Sequence, residues 1–174
     1  MTTFYAMPRG ILLSATLIIM LSNVFSQASA QEPTPVFRHL DIENGLSNYL
    51  VTEVVQDDIG FLWFSTDHGL NRYDGREIVH YFHNASDSLG ISGNKLRAMV
   101  RDEDGHIWLT TNHGVDKYNP FTEVFAHFDF EENINSIASD GDEGIWAGTS
   151  AGLFLLKKDS KNFVLVDFAR HPWS

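Results

Sequence analysis

The chain has 174 residues, a formal net charge of −11 and no cysteine. The excess of acidic residues argues against nucleic acid as a partner, because affinity for phosphates is built from clustered Lys and Arg. The lack of cysteine excludes disulfide bonds and thiolate metal sites, so the stability of the fold depends on packing.

The first 30 residues are typical of an export signal. Arg9 is their only charged residue, residues 11–25 are mostly apolar, and Ala28-Ser29-Ala30 forms a small-residue cleavage site. We therefore predict a signal helix within residues 1–30, cleavage after Ala30 and a periplasmic domain at 31–174. An uncleaved membrane anchor is the alternative, but the apolar stretch is shorter than the roughly 20 residues that a spanning helix requires.

The rest of the sequence is an internal repeat. Residues 57–73 align with residues 102–118 without a gap at an offset of 45, which places Trp63 over Trp108. A looser third copy follows at an offset of 38 and contains Trp146, with its acidic turn one residue out of register. A repeat of this period indicates an array of similar structural units.

Each copy predicts four short antiparallel strands, because β-branched and aromatic runs alternate with turns rich in Asp and Gly. No helical period appears after the signal. The predicted strands are 51–56, 61–66, 70–73 and 78–82, then 96–101, 106–111, 115–118 and 124–128, then 134–139, 145–149, 153–156 and 163–168. Four strands per unit of about 40 to 45 residues, with one Trp each, predict an all-β fold of β-propeller blades.

We assign the blades to residues 46–82, 91–128 and 134–168, preceded by an outer strand at 36–40 that a closed ring would pair with its last blade. Closed propellers contain about four to eight blades, so three blades form an incomplete propeller. Closure then requires missing blades or a second chain, and a homodimer is one way to supply it.

The repeat also predicts a structural core. A large ring that recurs at the blade period is positioned to pack between adjacent sheets, although a sugar-stacking platform is the alternative. The predicted core residues are Trp63, Trp108, Trp146, Gly69, Gly114 and Gly152.

Residues 102–115, followed by Tyr118, form a recognisable motif: an acidic turn with glycine, then aliphatic-Trp-aliphatic and Thr, then Gly-aliphatic and an aromatic. This motif resembles the two-component regulator propeller repeat, and residues 37–46 resemble the start of such sensor regions. The resemblance implies the N-terminal fragment of a periplasmic sensor region that detects oligosaccharides. It implies a parent receptor anchored in the inner membrane, with a histidine kinase or diguanylate cyclase output that this chain lacks.

Four residues are candidates for ligand binding. His68 and His113 occupy the same turn in successive repeats, so both should face one end of the propeller, and Tyr49 and His83 lie near the first inter-blade loop. Tyr offers a flat apolar face with a polar edge, which suits an oligosaccharide or another small ligand. We predict no metal site, because blade spacing separates His68 from His113 and a closed site needs about four converging donors.

No catalytic residue and no cofactor are predicted. Gly148-Thr149-Ser150-Ala151-Gly152 matches a nucleophile elbow, but strand-like residues follow where that motif needs a helix. Asp102-x-Asp104-Gly105 is similar to the opening of a calcium loop, yet its glycine comes too early. Two other functions stay open: a propeller lyase or hydrolase acting on polysaccharide, and a protein-interaction scaffold.

Overall fold

The computed structural model describes residues 36–141 and 143–167. The predicted signal helix and cleavage site lie outside these residues, as does the end of the third predicted blade at Phe168. Within the described ranges, no helix is long and apolar enough to cross a membrane. The chain divides into one unit ending at Arg38 and a second unit from His39 onward, and the sheets belong to the second unit.

The described residues form three four-stranded antiparallel sheets, each with its strands paired in chain order. Blade 1 contains β1 Val51–Gln56, β2 Leu62–Thr66, β3 Gly69–Tyr73 and β4 Ile78–Tyr81. Blade 2 contains β5 Met99–Arg101, β6 Ile107–Thr111, β7 Gly114–Asn119 and β8 Val124–Asp129. Blade 3 contains β9 Ile134–Ser139, β10 Gly144–Thr149, β11 Gly152–Lys157 and β12 Val164–Leu165. The predicted all-β fold of an incomplete propeller is confirmed.

In each blade, the first and second strands are joined by the same hairpin turn. The N–H of Asp57 donates to the carbonyl of Phe61 at 3.0 Å, and Asp102 pairs in the same way with His106 at 3.0 Å. In blade 3, Asp140 closes the turn with Gly144 at 3.2 Å. The aspartate therefore keeps its place in the third copy, and only the turn glycine is displaced by one residue.

The blades lie side by side with their first strands innermost, because β1 lies beside β5 and β5 beside β9. Between blades 1 and 2, the Trp63 ring lies 4.9 Å from Tyr118, and Tyr81 lies 5.8 Å from Phe125. Between blades 2 and 3, a second cluster is built around Trp108, Val115 and Ile145. The core is thus a series of inter-blade apolar layers, as repeat architectures require.

Most predicted strands differ from the structure by one residue at an end, and three predicted elements differ by more. β5 begins at Met99 instead of residue 96, because the Thr110 side chain takes the Ala98 N–H at 3.0 Å in place of a regular ladder bond. β12 has two residues, and residues 36–40 adopt no strand. A closing strand needs the blade that it pairs with, so its role in ring closure stays a prediction.

Candidate functional site

All four predicted ligand residues lie at one end of the blades. Because neighbouring strands are antiparallel, this end carries the turns between second and third strands and the loops that join the blades. The acidic turns lie at the opposite end. We call the first end the histidine rim and define it by Tyr49, His68, His83 and His113.

In blade 1, the rim is built on the turn between β2 and β3. The His68 N–H donates to Thr66 Oγ1 at 3.1 Å, which fixes the turn, and the His68 ring lies 5.5 Å from the Phe82 ring. The Asp67 N–H donates to the Leu50 carbonyl at 3.3 Å, so the preceding residue Tyr49 lies at the same end. Tyr49 is 80% exposed.

In blade 2, the rim brings two histidines together. The ring centroids of His83 and His113 lie 6.0 Å apart. His83 comes from the loop between blades 1 and 2, and its N–H donates to Asn94 Oδ1 at 2.6 Å. The structure therefore pairs His113 with His83 and places His68 on Phe82.

A repeated hydroxyl pair, for which no role was predicted, supports both rim turns. Ser47 Oγ lies 3.1 Å from Thr66 Oγ1, and Ser92 Oγ lies 2.9 Å from Thr111 Oγ1. Thr111 Oγ1 also accepts the His113 N–H at 3.0 Å. The signal was present in the sequence, since each Ser–Thr pair recurs at the repeat offset of 45 residues.

In blade 2, the buried carboxylate of Asp116 pairs with the partly exposed side chain of His127. Asp116 is fully buried and accepts the Ser92 N–H at 2.7 Å on one oxygen and His127 Nδ1 at 2.8 Å on the other. His127 Nε2 lies 3.2 Å from the Ser88 carbonyl. Partial burial opposes the charged imidazolium, yet the hydrogen bond and charge of Asp116 raise the pKa of His127 above its ordinary value.

The opposite end holds a small cluster of possible metal donors. Ligand atoms of Asp102, Asp104 and His106 lie within 4.8 Å of one another. Asp102 already accepts the Trp108 indole N–H at 2.7 Å and the His106 backbone N–H at 2.8 Å. Burial opposes its ionisation, but these hydrogen bonds hold the pKa of Asp102 below its ordinary value. Its carboxylate therefore stabilises the turn and fixes the position of the Trp108 ring.

The nucleophile-elbow motif lies in a blade turn. Ser150 sits between β10 and β11, so a strand follows it where an elbow requires a helix. The next residue but one, Gly152, opens β11 with φ 135°, as Gly114 opens β7 with φ 136°. This segment is thus the third copy of the rim turn.

Known proteins share this architecture. Residues 90–113 match the family model described as two component regulator propeller. Histidine kinase P4 of Formosa agariphila is 37% identical over 71 residues, which are 41% of this chain and 5% of the kinase.

Two solved structures from B. thetaiotaomicron are similar. The extracellular domain of a putative hybrid two component system has a TM-score of 0.69 and 31% identity, over 78% of this chain and 20% of that chain. The extracellular domain of a putative one component system has a TM-score of 0.65, covering 84% of this chain and 20% of that chain; at 21% identity it supports the fold alone.

The chain spans about a fifth of each of the two solved extracellular domains and 5% of the kinase. The match to the family model covers the rim and core of blade 2, where the repeat motif is clearest. Residues 90–113 are thus similar to a two component regulator propeller repeat, and the three Trp-centred sheets share the fold of the extracellular domain of a putative hybrid two component system.

Proposed function

We propose that the chain is the exported, non-catalytic sensing module of a transmembrane signalling receptor, and that it binds oligosaccharides at the histidine rim. The observation that carries this proposal is the position of Tyr49, His68, His83 and His113 at the same end of two adjacent blades, with His83 and His113 in contact. The similarity to an extracellular domain of a putative two component system supports a location outside the cytoplasm.

The chemistry of the rim suits a neutral sugar. Tyr49 offers an exposed ring for stacking, and exposed imidazoles offer hydrogen-bonding groups for hydroxyls. The net charge of −11 disfavours strongly anionic ligands. Loops held by a rigid sheet scaffold are common positions for binding residues.

The proposal includes at least one further blade, packed on the side of blade 3 where Val164 is exposed. Trp146, Leu155 and Val164 lie in one cross-strand row. Val164 is 63% exposed, and a cleft of about 450 Å³ opens beside it. The equivalent face of blade 1, which contains Trp63, is covered by blade 2. A further blade or a second chain would cover blade 3 in the same way.

Binding is tested with the purified chain and a panel of neutral oligosaccharides, by thermal shift and titration calorimetry. We expect at least one saturable ligand, and we expect Tyr49→Ala and His68→Ala each to weaken it by about tenfold, which corresponds to about 1.4 kcal/mol per lost contact. Phe121→Ala is the matched control, because Phe121 is also exposed but lies in the turn at the opposite end.

Two outcomes would count against the sensing proposal. One is that no sugar shifts the melting temperature, which is the behaviour of a protein-interaction scaffold. The other is that Tyr49→Ala and His68→Ala bind as well as Phe121→Ala does. The receptor is tested separately by sequencing the gene beyond the codon for Ser174: further repeats, a spanning segment and an output domain are expected, and an immediate stop codon would contradict them.

A further inference from the structure

The contact between His83 and His113 joins two parts of the chain that the repeat does not relate. His83 follows the outer strand of blade 1, whereas His113 lies in the turn between β6 and β7 of blade 2. Their ring centroids are 6.0 Å apart, and their planes are inclined by 40°. Two imidazoles at this separation are close enough for one ion to reach a nitrogen of each, given nitrogen–metal distances of about 2.0 to 2.1 Å.

The hydrogen bonds of His83 set its tautomer. Nδ1 lies 2.9 Å from the Ile91 carbonyl oxygen, which can only accept, so Nδ1 carries the proton and donates it. In the neutral ring, Nε2 then holds a free lone pair. A ring N–H bound to a backbone carbonyl, with the other nitrogen available, is the arrangement that orients metal-binding histidines.

His113 is held in a comparable way. Its N–H donates to Thr111 Oγ1 at 3.0 Å, and its Nε2 lies 3.4 Å from the Asn112 amide nitrogen, which can only donate. His113 Nε2 is therefore the unprotonated nitrogen as well, and an ion bound there would replace this long contact with the Asn112 amide. Gly93 leaves the space that this ring needs, because a Cβ there would lie 2.9 Å from His113 Nδ1 and would overlap Asn112.

We propose that His83 and His113 bind one divalent transition-metal ion, of the zinc, copper or nickel class, through their Nε2 atoms. Imidazole nitrogens favour this class over calcium or magnesium, which prefer oxygen ligands. Both histidines are exposed, so water completes the coordination and the ion exchanges readily. This site goes beyond the sensing function, since it requires no oligosaccharide.

The test is calorimetric titration of the purified chain with zinc chloride alone, at a pH near 7.5 where most imidazoles are neutral. We expect one saturable site, and we expect His83→Ala and His113→Ala each to weaken it at least about tenfold.

Two control variants separate this site from others. His39→Ala removes another exposed histidine, whose Nε2 lies 3.4 Å from Asp41, and should leave zinc binding unchanged. Asp104→Ala disrupts the cluster with Asp102 and His106 at the opposite end and should also have no effect. Circular dichroism of each variant confirms that the sheets are intact.

The proposal is overturned if zinc shows no saturable binding to the folded chain. It is also overturned if His83→Ala and His113→Ala bind zinc like the parent chain, or if Asp104→Ala abolishes the binding. Because sugars are absent from this titration, its failure would leave the sensing proposal standing, and loss of sugar binding would leave the metal site standing.

Discussion

The indole Nε1 of Trp63 donates a hydrogen bond to Oδ2 of Asp57 at 2.9 Å, and Asp57 lies six residues earlier in the chain. The other oxygen, Oδ1, accepts the N–H of Phe61 at 2.9 Å within the acidic turn. One carboxylate therefore fixes both the turn and the ring that packs between blades. The same bond recurs from Trp108 to Asp102 at 2.7 Å and from Trp146 to Asp140 at 2.6 Å.

Replacing the first aspartate of a turn should destabilise the fold. We expect Asp57→Ala to lower the free energy of unfolding by about 2 to 3 kcal/mol, because it leaves the buried Trp63 N–H and turn N–H groups without an acceptor. Urea denaturation followed by Trp fluorescence measures the change.

Glu131→Ala is the control for this substitution, since Glu131 is an exposed acidic residue in the loop before β9. Its effect should stay within about 0.5 kcal/mol, as for most surface substitutions. Equal effects of Asp57→Ala and Glu131→Ala would show that the bond to the indole contributes nothing to stability.

Alanine substitutions at two glycines should distinguish the cost of backbone strain from the cost of steric overlap. Gly75 has φ 96° but, among the described residues, a Cβ there would meet no atom within 4 Å. Gly114 has φ 136°, and a Cβ there would overlap the carbonyl oxygen of Phe128. We expect Gly75→Ala to cost about 1 kcal/mol from strain alone, and Gly114→Ala about 3 kcal/mol or more. Similar melting temperatures for the two variants would contradict the close approach of β7 to β8.

The Asp116–His127 pair should make stability depend on pH. A histidine whose pKa rises on folding contributes its full stabilisation below the unfolded value of about 6.5, and that contribution is lost as the pH rises through the folded pKa. Asp116→Asn should remove it. The stability advantage of the parent chain over Asp116→Asn should therefore be largest near pH 6 and shrink by about pH 8.5.

Blade 1 is a natural control for this pair, because His80 there lies opposite Asn71, an amide without charge, in place of an aspartate. The negative charges near His127 include Asp129 and Asp87 as well as Asp116, so Asp87→Asn should be measured beside Asp116→Asn. Two results would show that Asp116 is not the partner that controls His127. One is a stability difference between the parent chain and Asp116→Asn that is constant across the pH range. The other is the same pH-dependent loss of stability in Asp87→Asn as in Asp116→Asn.

The repeat allowed most of the blade architecture to be predicted from sequence. Strand positions follow from β-branched runs between Asp-Gly turns, and β1 and β9 have the predicted bounds. The two hydrogen bonds of Asp57, to the Phe61 N–H and to the Trp63 indole, could not be predicted. Alignment shows that an acidic residue recurs, but it does not show the partner of each carboxylate oxygen. The displaced glycine of the third copy concealed the constant spacing between Asp140 and Trp146.

The candidate site was only partly predictable. Alignment by blade relates His68 to His113, and both do lie at the rim, but equivalent positions in a propeller are a whole blade apart. The contact with His113 comes instead from His83, in an inter-blade loop whose path is fixed by bonds such as His83 N–H to Asn94 Oδ1. Tertiary contacts of this kind, made by loops, do not recur at the repeat period, so the sequence pattern does not predict them.

The three tryptophans should differ in their importance although they occupy equivalent positions. Trp63 is 1% exposed and packs against Tyr118 of the next blade, whereas Trp146 is half-buried in blade 3. We expect Trp63→Ala to cost about 3 to 5 kcal/mol and Trp146→Ala about 1 to 2 kcal/mol in this chain. Trp108 packs against blade 3, so the cost of Trp108→Ala should be similar to that of Trp63→Ala. When a further blade is present, the cost of Trp146→Ala should rise toward that of Trp63→Ala, as denaturation of a longer protein would show. An equally large cost in the three-blade chain alone would mean that the face of blade 3 needs no further blade to complete its packing.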